Sequence, residues 1–118
     1  MPLHVEAVWT PTQDEFDRFA RISGDDNPIH VDPAFSARTR FGRTVSHGML
    51  IYSKLWAMLC TSLPGVRQAH QTMMFPNPCF TGEPVELTVE EIGTRRFAMK
   101  ALRQADGAEL LVGETELA

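Results

Sequence analysis

The chain has 118 residues, 43% of them hydrophobic and 22% charged, with a formal net charge of −4. That size supports one hydrophobic core and excludes two, so residues 1–118 read as a single domain. The acidic balance and the lack of a Lys/Arg run argue against nucleic-acid and membrane-surface partners.

The longest apolar run, around Met49 to Cys60, is broken by Ser53 and Lys54 and is too short to span a bilayer. Met1 to Glu6 carries neither the basic region nor the apolar stretch of a signal peptide. Cys60 and Cys79 lack a CxxC context and read as buried free thiols. A reduced, cytoplasmic setting is therefore expected. A domain this small that must also hold an open cleft is expected to pair as a homodimer.

In chain order, His4 to Trp9 is a short strand. A helix follows, capped by Thr10 or Thr12, each in capping-box spacing with Gln13 or Glu15. Phe16, Phe19, Ala20 and Ile22 form its apolar face, and Gly24 stops it. The Asp25 to His30 loop comes next, with Pro28 read as preventing a helix there. Asp32-Pro33 then reads as a cap and first-turn proline of a short helix through Arg38. Met49 to about Thr61 is a helix apolar on most sides, as expected of a core helix. Beyond Gln68 the period changes to two. Strands are expected at His70 to Phe75, through Val85, Leu87 and Val89, from Arg96 to Gln104 and from Glu109 to Leu117. Asp106-Gly107 is a hairpin turn. One apolar helix before an antiparallel run of strands, about five in all, points to an α+β arrangement with the helix wrapped by a curved sheet.

The polar loop is the first candidate site. Asp25, Asn27 and His30 are crowded between a glycine and a proline turn, where folding alone does not require them. A carboxylate and an imidazole brought together by a bent loop can share one water and move its proton. Each alone has a plainer reading: Asp25 as a turn residue and His30 as a surface histidine. Asn27 fits a loop-shaping role, and Asp32 fits a cap. Gly48 is the second candidate. At the first turn of the apolar helix its amide is an unpaired donor, and a carbonyl placed there would be polarised. The plainer readings are that Gly48 only permits close packing and that the preceding His47 is a polar lid. The histidines His4, His30, His47 and His70 lack zinc spacing, so no metal is expected. No serine stands in a GxSxG context, and neither GxGxxG nor a P-loop occurs.

Three blocks resemble the MaoC-like, (R)-specific enoyl-CoA hydratase family: Phe19 to His30, which contains an SGDxNPxH signature, Asp32 to Phe35, and Phe41 to Leu50. Phe75 to Glu83 is similar to the family's following strand and turn, so the likeness runs roughly from Thr12 to Glu90. The resemblance implies the hot-dog fold, a long helix wrapped by an antiparallel sheet, and a dimer. It implies that Asp25 and His30 activate water, that Gly48 offers its amide to a thioester carbonyl, and that Asn27 supports the loop. The implied substrate is a trans-2-enoyl-CoA, hydrated to an (R)-3-hydroxyacyl-CoA in fatty acid metabolism. No cofactor is implied, because coenzyme A is part of the substrate. A non-catalytic acyl-thioester-binding or scaffold subunit is the competing expectation. Thr44 departs from the family, standing where proline is common. Trp56 offers a way to shorten an acyl tunnel, though core packing explains it more simply.

Overall fold

The period-two alternation in the second half of the chain builds the sheet. The computed structural model describes residues 2–118. Its strands are β1 (His4–Trp9), β2 (Gln68–Met74), β3 (Val85–Gly93), β4 (Arg96–Arg103) and β5 (Glu109–Leu117). They form one antiparallel sheet in the order β1-β3-β4-β5-β2. Val85, Leu87 and Val89 of β3 face inward beside Phe97, Met99 and Ala101 of β4. The intervening Glu86 and Glu90 point to solvent, as expected where one face of a sheet is wet. The Asp106-Gly107 turn returns the chain into β5, with Gly107 at φ 74°.

Four helices precede or interrupt the sheet: α1 (Gln13–Ser23), α2 (Pro28–Val31), α3 (Pro33–Ala37) and α4 (Gly48–Ser62). Thr12, not Thr10, caps α1. Its hydroxyl accepts from the Glu15 amide, and the Glu15 side chain answers with a bond to the Thr12 amide. Gly24 closes the helix at φ 80°, a left-handed position that favours glycine. Glu15 also accepts from the Trp9 indole and from Lys54 at 2.6 Å, tying α1 to β1 and α4. Burial works against its charge but is outweighed by these donors, so its pKa is lowered. Phe16 and Ala20 are buried as read, whereas Ile22 is 84% exposed and lies off the apolar face.

The α4 helix packs on β3, β4 and β5 and buries Leu50, Ile51, Leu55 and Leu59. A single long helix laid on an antiparallel sheet is the hot-dog arrangement, an α+β fold. The helix belongs to the core as expected, but its burial within this chain is one-sided. The sheet covers one stripe of α4, while Met49 is 51% exposed and Tyr52 and Trp56 are half-buried. Trp56 packs against the core cluster and does not line the main cleft. Among the described residues no helix is long and apolar enough to cross a membrane.

The edge pairing of β2 with β5 depends on Gly113, opposite Met73. A Cβ at Gly113 would run into the Thr72 carbonyl oxygen and lie 3.0 Å from the Met73 Cα. Both obstacles are backbone, so neither can swing aside. Gly113→Ala is expected to cost roughly 1–3 kcal/mol, as overpacking typically does. Urea denaturation measures the loss, and amide exchange should localise it to β2.

Candidate active site

The loop from Asp25 to His30 is partly helical. Pro28, read as excluding a helix, occupies the first position of the one-turn α2, where its missing N–H costs nothing. Asn27 caps that turn, its side-chain oxygen accepting from the Ile29 amide at 3.1 Å. The turn rotates His30 inward, and the Gln13 amide group fixes it by donating to the His30 carbonyl at 2.8 Å. The other end of Gln13 accepts from the Thr44 hydroxyl at 2.7 Å, so Gln13 ties the His30 carbonyl to the segment that leads into α4. Asp32 caps α3 as read, accepting from the Phe35 amide.

The ring nitrogens of His30 are distinguishable. Nδ1 lies 2.8 Å from the Val45 carbonyl oxygen, which can only accept, so Nδ1 carries the proton. In the neutral ring Nε2 is then an acceptor. It faces the Asp25 carboxylate at 3.7 Å, too far for a direct hydrogen bond. A water at bonding distance from both groups would see them at close to a right angle, near its own H–O–H angle. The Asp25 side chain is 55% exposed and that of His30 10% exposed, so the pair joins a wet group to a buried one.

Gly48 begins α4, and His47 caps it through its backbone, with no side-chain cap bond. Among the described residues no acceptor takes the Gly48 amide hydrogen. A Cβ at Gly48 would lie 2.7 Å from the Phe75 ring, so the aromatic face stands where a side chain would be. The two sequence candidates meet in space: Asp25, His30 and Gly48 all line one cleft of about 730 Å³. Phe19, Ile29, Phe41, Ile51 and Leu110 supply its apolar walls. A volume of that order with a few polar groups at one end is typical of a small-molecule site.

Sequence reasoning missed His47. It is not a polar lid but is 2% exposed, stacked on His30 with ring centroids 3.9 Å apart. Its Nε2 donates to the Asp25 carbonyl at 2.8 Å, while its Nδ1 is buried without a partner. Burial is the main cause of a lowered pKa, reinforced by His30 and opposed by the Asp25 contacts. The available signal was its place beside a core helix, since a side chain at such a junction is readily covered.

Asp25, His30 and His47 also offer metal-ligand atoms within 4.8 Å of one another, a cluster that spacing in sequence did not reveal. Their geometry is poor for an ion. Imidazole lone pairs lie in the ring planes, and rings stacked at 24° direct them side by side. One nitrogen of each ring is already committed to a carbonyl.

The fold places this chain among the hot-dog proteins. Within them it belongs to the MaoC-like domain family, whose model matches residues 1–110. It is 42% identical over 79 residues to the (R)-specific enoyl-CoA hydratase of Aeromonas caviae, covering 65% of this chain and 59% of that protein. It is 39% identical over 99 residues to the 3-hydroxybutyryl-CoA dehydratase of Methylorubrum extorquens, covering 80% and 63% respectively. These alignments span about six tenths of each relative's length. The solved (R)-hydratase from A. caviae involved in PHA biosynthesis superposes with a TM-score of 0.90 at 31% identity, covering 99% of this chain and 96% of that one.

Two measurements probe this geometry. Gly48→Ala should push the partly exposed Phe75 ring aside at a cost of about 0.5–1.5 kcal/mol, that of an off-rotamer side chain, and Phe75→Ala added to it should recover most of the loss, read as a double-mutant cycle. The lowered pKa of His47 makes the unfolded chain bind a proton that the folded chain refuses. Its contribution to stability is complete above the ordinary value of 6.5 and is lost as pH falls through the folded pKa. Urea denaturation from pH 8 to 5 should show wild type losing more stability than His47→Gln, which cannot titrate there.

Proposed function

We propose that this chain adds water to a trans-2-enoyl-CoA, giving an (R)-3-hydroxyacyl-CoA, and catalyses the reverse dehydration. The observation that carries this reading is the Asp25–His30 pair in the same cleft as the free Gly48 amide. The relatives named as a hydratase and a dehydratase describe two directions of one equilibrium.

The chemistry follows from the parts. Water can attack C3 of an enoyl thioester only if the alkene electrons can move toward the carbonyl oxygen. The Gly48 amide, reinforced by the α4 dipole, would hold that developing charge. One such donor typically contributes about 3 kcal/mol. Neutral His30 and the Asp25 carboxylate would accept the two hydrogens of the attacking water. As the C3–O bond forms, one proton passes to the pair. The enolate then collapses to the thioester and takes a proton at C2. Delivery of oxygen and proton from one side of the alkene gives syn addition. The reaction is redox-neutral, and this reading requires neither a cofactor nor a metal. Asn27 would act indirectly, by keeping the α2 turn that aims His30.

Pairing belongs to the same proposal. Strand β2 has one unpaired edge, and Met74 and Phe75 at its end are exposed together with Met49 of α4. A second copy that covered them would complete the burial the helix lacks. Sedimentation at micromolar concentration should show twice the chain mass.

Loss of the conjugated enoyl absorbance with crotonyl-CoA tests the reaction, and a panel of CoA and acyl-carrier-protein thioesters reads the carrier. Asp25→Asn and His30→Ala should each lower kcat by about 100- to 10,000-fold, the usual range for a general acid or base. Wild-type rates in both variants would sink the assignment. Binding of acyl-CoA without turnover would support the scaffold reading instead.

A further inference from the structure

The fold has no evident need for a histidine at position 47. The ring lies 4.9 Å from Phe19 and stacks on His30, contacts that a phenylalanine could also make. A phenylalanine would moreover leave no buried nitrogen without a partner, as Nδ1 of His47 is. What the imidazole adds is one bond, from Nε2–H to the Asp25 carbonyl at 2.8 Å. The remaining bonds at Asp25 are local: its amide donates to Ser23 and its carboxylate accepts from the Asn27 amide. His47 is therefore the tie that holds Asp25 to a distant part of the chain, 22 residues away.

That tie joins the two halves of the cleft. His47 is the residue before Gly48, so the bond fixes the Asp25 backbone to the start of α4. Its ring also forms one wall of the slot that holds His30. A carbonyl oxygen only accepts, so the tie needs hydrogen on Nε2 and leaves Nδ1 bare in the neutral ring.

We infer that His47 is a positioning residue for the hydration, which through its Nε2–H tautomer sets the distance between the water-handling Asp25–His30 pair and the Gly48 amide. The inference rests on the hydration reading above. It assigns His47 no contact with the substrate and no share in moving the proton.

The two functions of the side chain can be separated by substitution. His47→Phe keeps a ring against His30 and removes the donor. His47→Gln removes the ring and keeps an N–H at nearly the place of Nε2. His47→Phe should lower kcat for crotonyl-CoA by 10- to 100-fold with KM changed less than threefold, because the carboxylate is misplaced and the cleft is intact. His47→Gln should recover at least tenfold of a 100-fold loss, or most of a smaller one. Retention of kcat within threefold in His47→Phe, or a His47→Gln variant no better than His47→Phe, would overturn the inference.

Imidazole 15N spectra of the wild-type protein supply a readout independent of turnover and of whether the variants fold. His47 should appear as the neutral Nε2–H form with an unprotonated Nδ1 at pH 7, and an Nδ1–H tautomer would overturn the inference. If wild type hydrates no enoyl thioester, the reaction assignment fails, while the spectrum still decides whether the tie to Asp25 exists.

Discussion

The packing of one stripe of α4 against the sheet is the constraint on which the rest depends. Ile51, Leu55 and Leu59 recur at four-residue intervals and meet the inward residues of β3, β4 and β5. This contact is close-packed, so the helix cannot slide by a fraction of a turn without opening voids. The helix axis is thereby fixed, and with it the point in space where α4 begins. Gly48 needs no further device to place its amide, because a leucine stripe more than two turns long already does so.

The opposite side of the cleft is assembled differently. Asp25, Asp26, Asn27 and Pro28 are exposed, and a segment so poor in apolar contacts has little burial energy to hold its shape. Hydrogen bonds of short reach do that work. Asn27 starts the one-turn helix, Gln13 grips the His30 carbonyl, and Val45 receives the ring. An apolar scaffold and a polar clasp thus meet at a single cavity. The scaffold supplies rigidity, while the clasp supplies the titratable groups that a tightly packed interior would penalise.

Much of this was legible in the chain because local signals agreed with the fold. The alternation of Val85, Leu87 and Val89 gave β3, and Gly24 and Gly107 marked a helix end and a turn. Two kinds of feature escaped. The α2 turn spans only four residues, too short for any periodicity, and Pro28 reads equally well as a breaker and as a first-turn residue. Position 47 escaped because its burial is created by Phe19 and His30, which arrive from other segments. The opposite error occurred at Ile22, where spacing placed a residue on a face that α1 turns away from the core. Composition likewise overstated the burial of α4, since an apolar side chain does not reveal whether its own sheet or another molecule will cover it.

The two stacked imidazoles are both held by peptide carbonyls, His30 by Val45 and His47 by Asp25. No carboxylate serves as the orienting partner of either ring. A dipole fixed in the backbone does not titrate, and at contact distance in a buried setting mobile ions have no room to screen it. The tautomers are therefore written into the main chain and are indifferent to the ionic strength of the medium. Dissolved salt reaches this constellation chiefly through the exposed Asp25 carboxylate, the one charged member that solvent can touch.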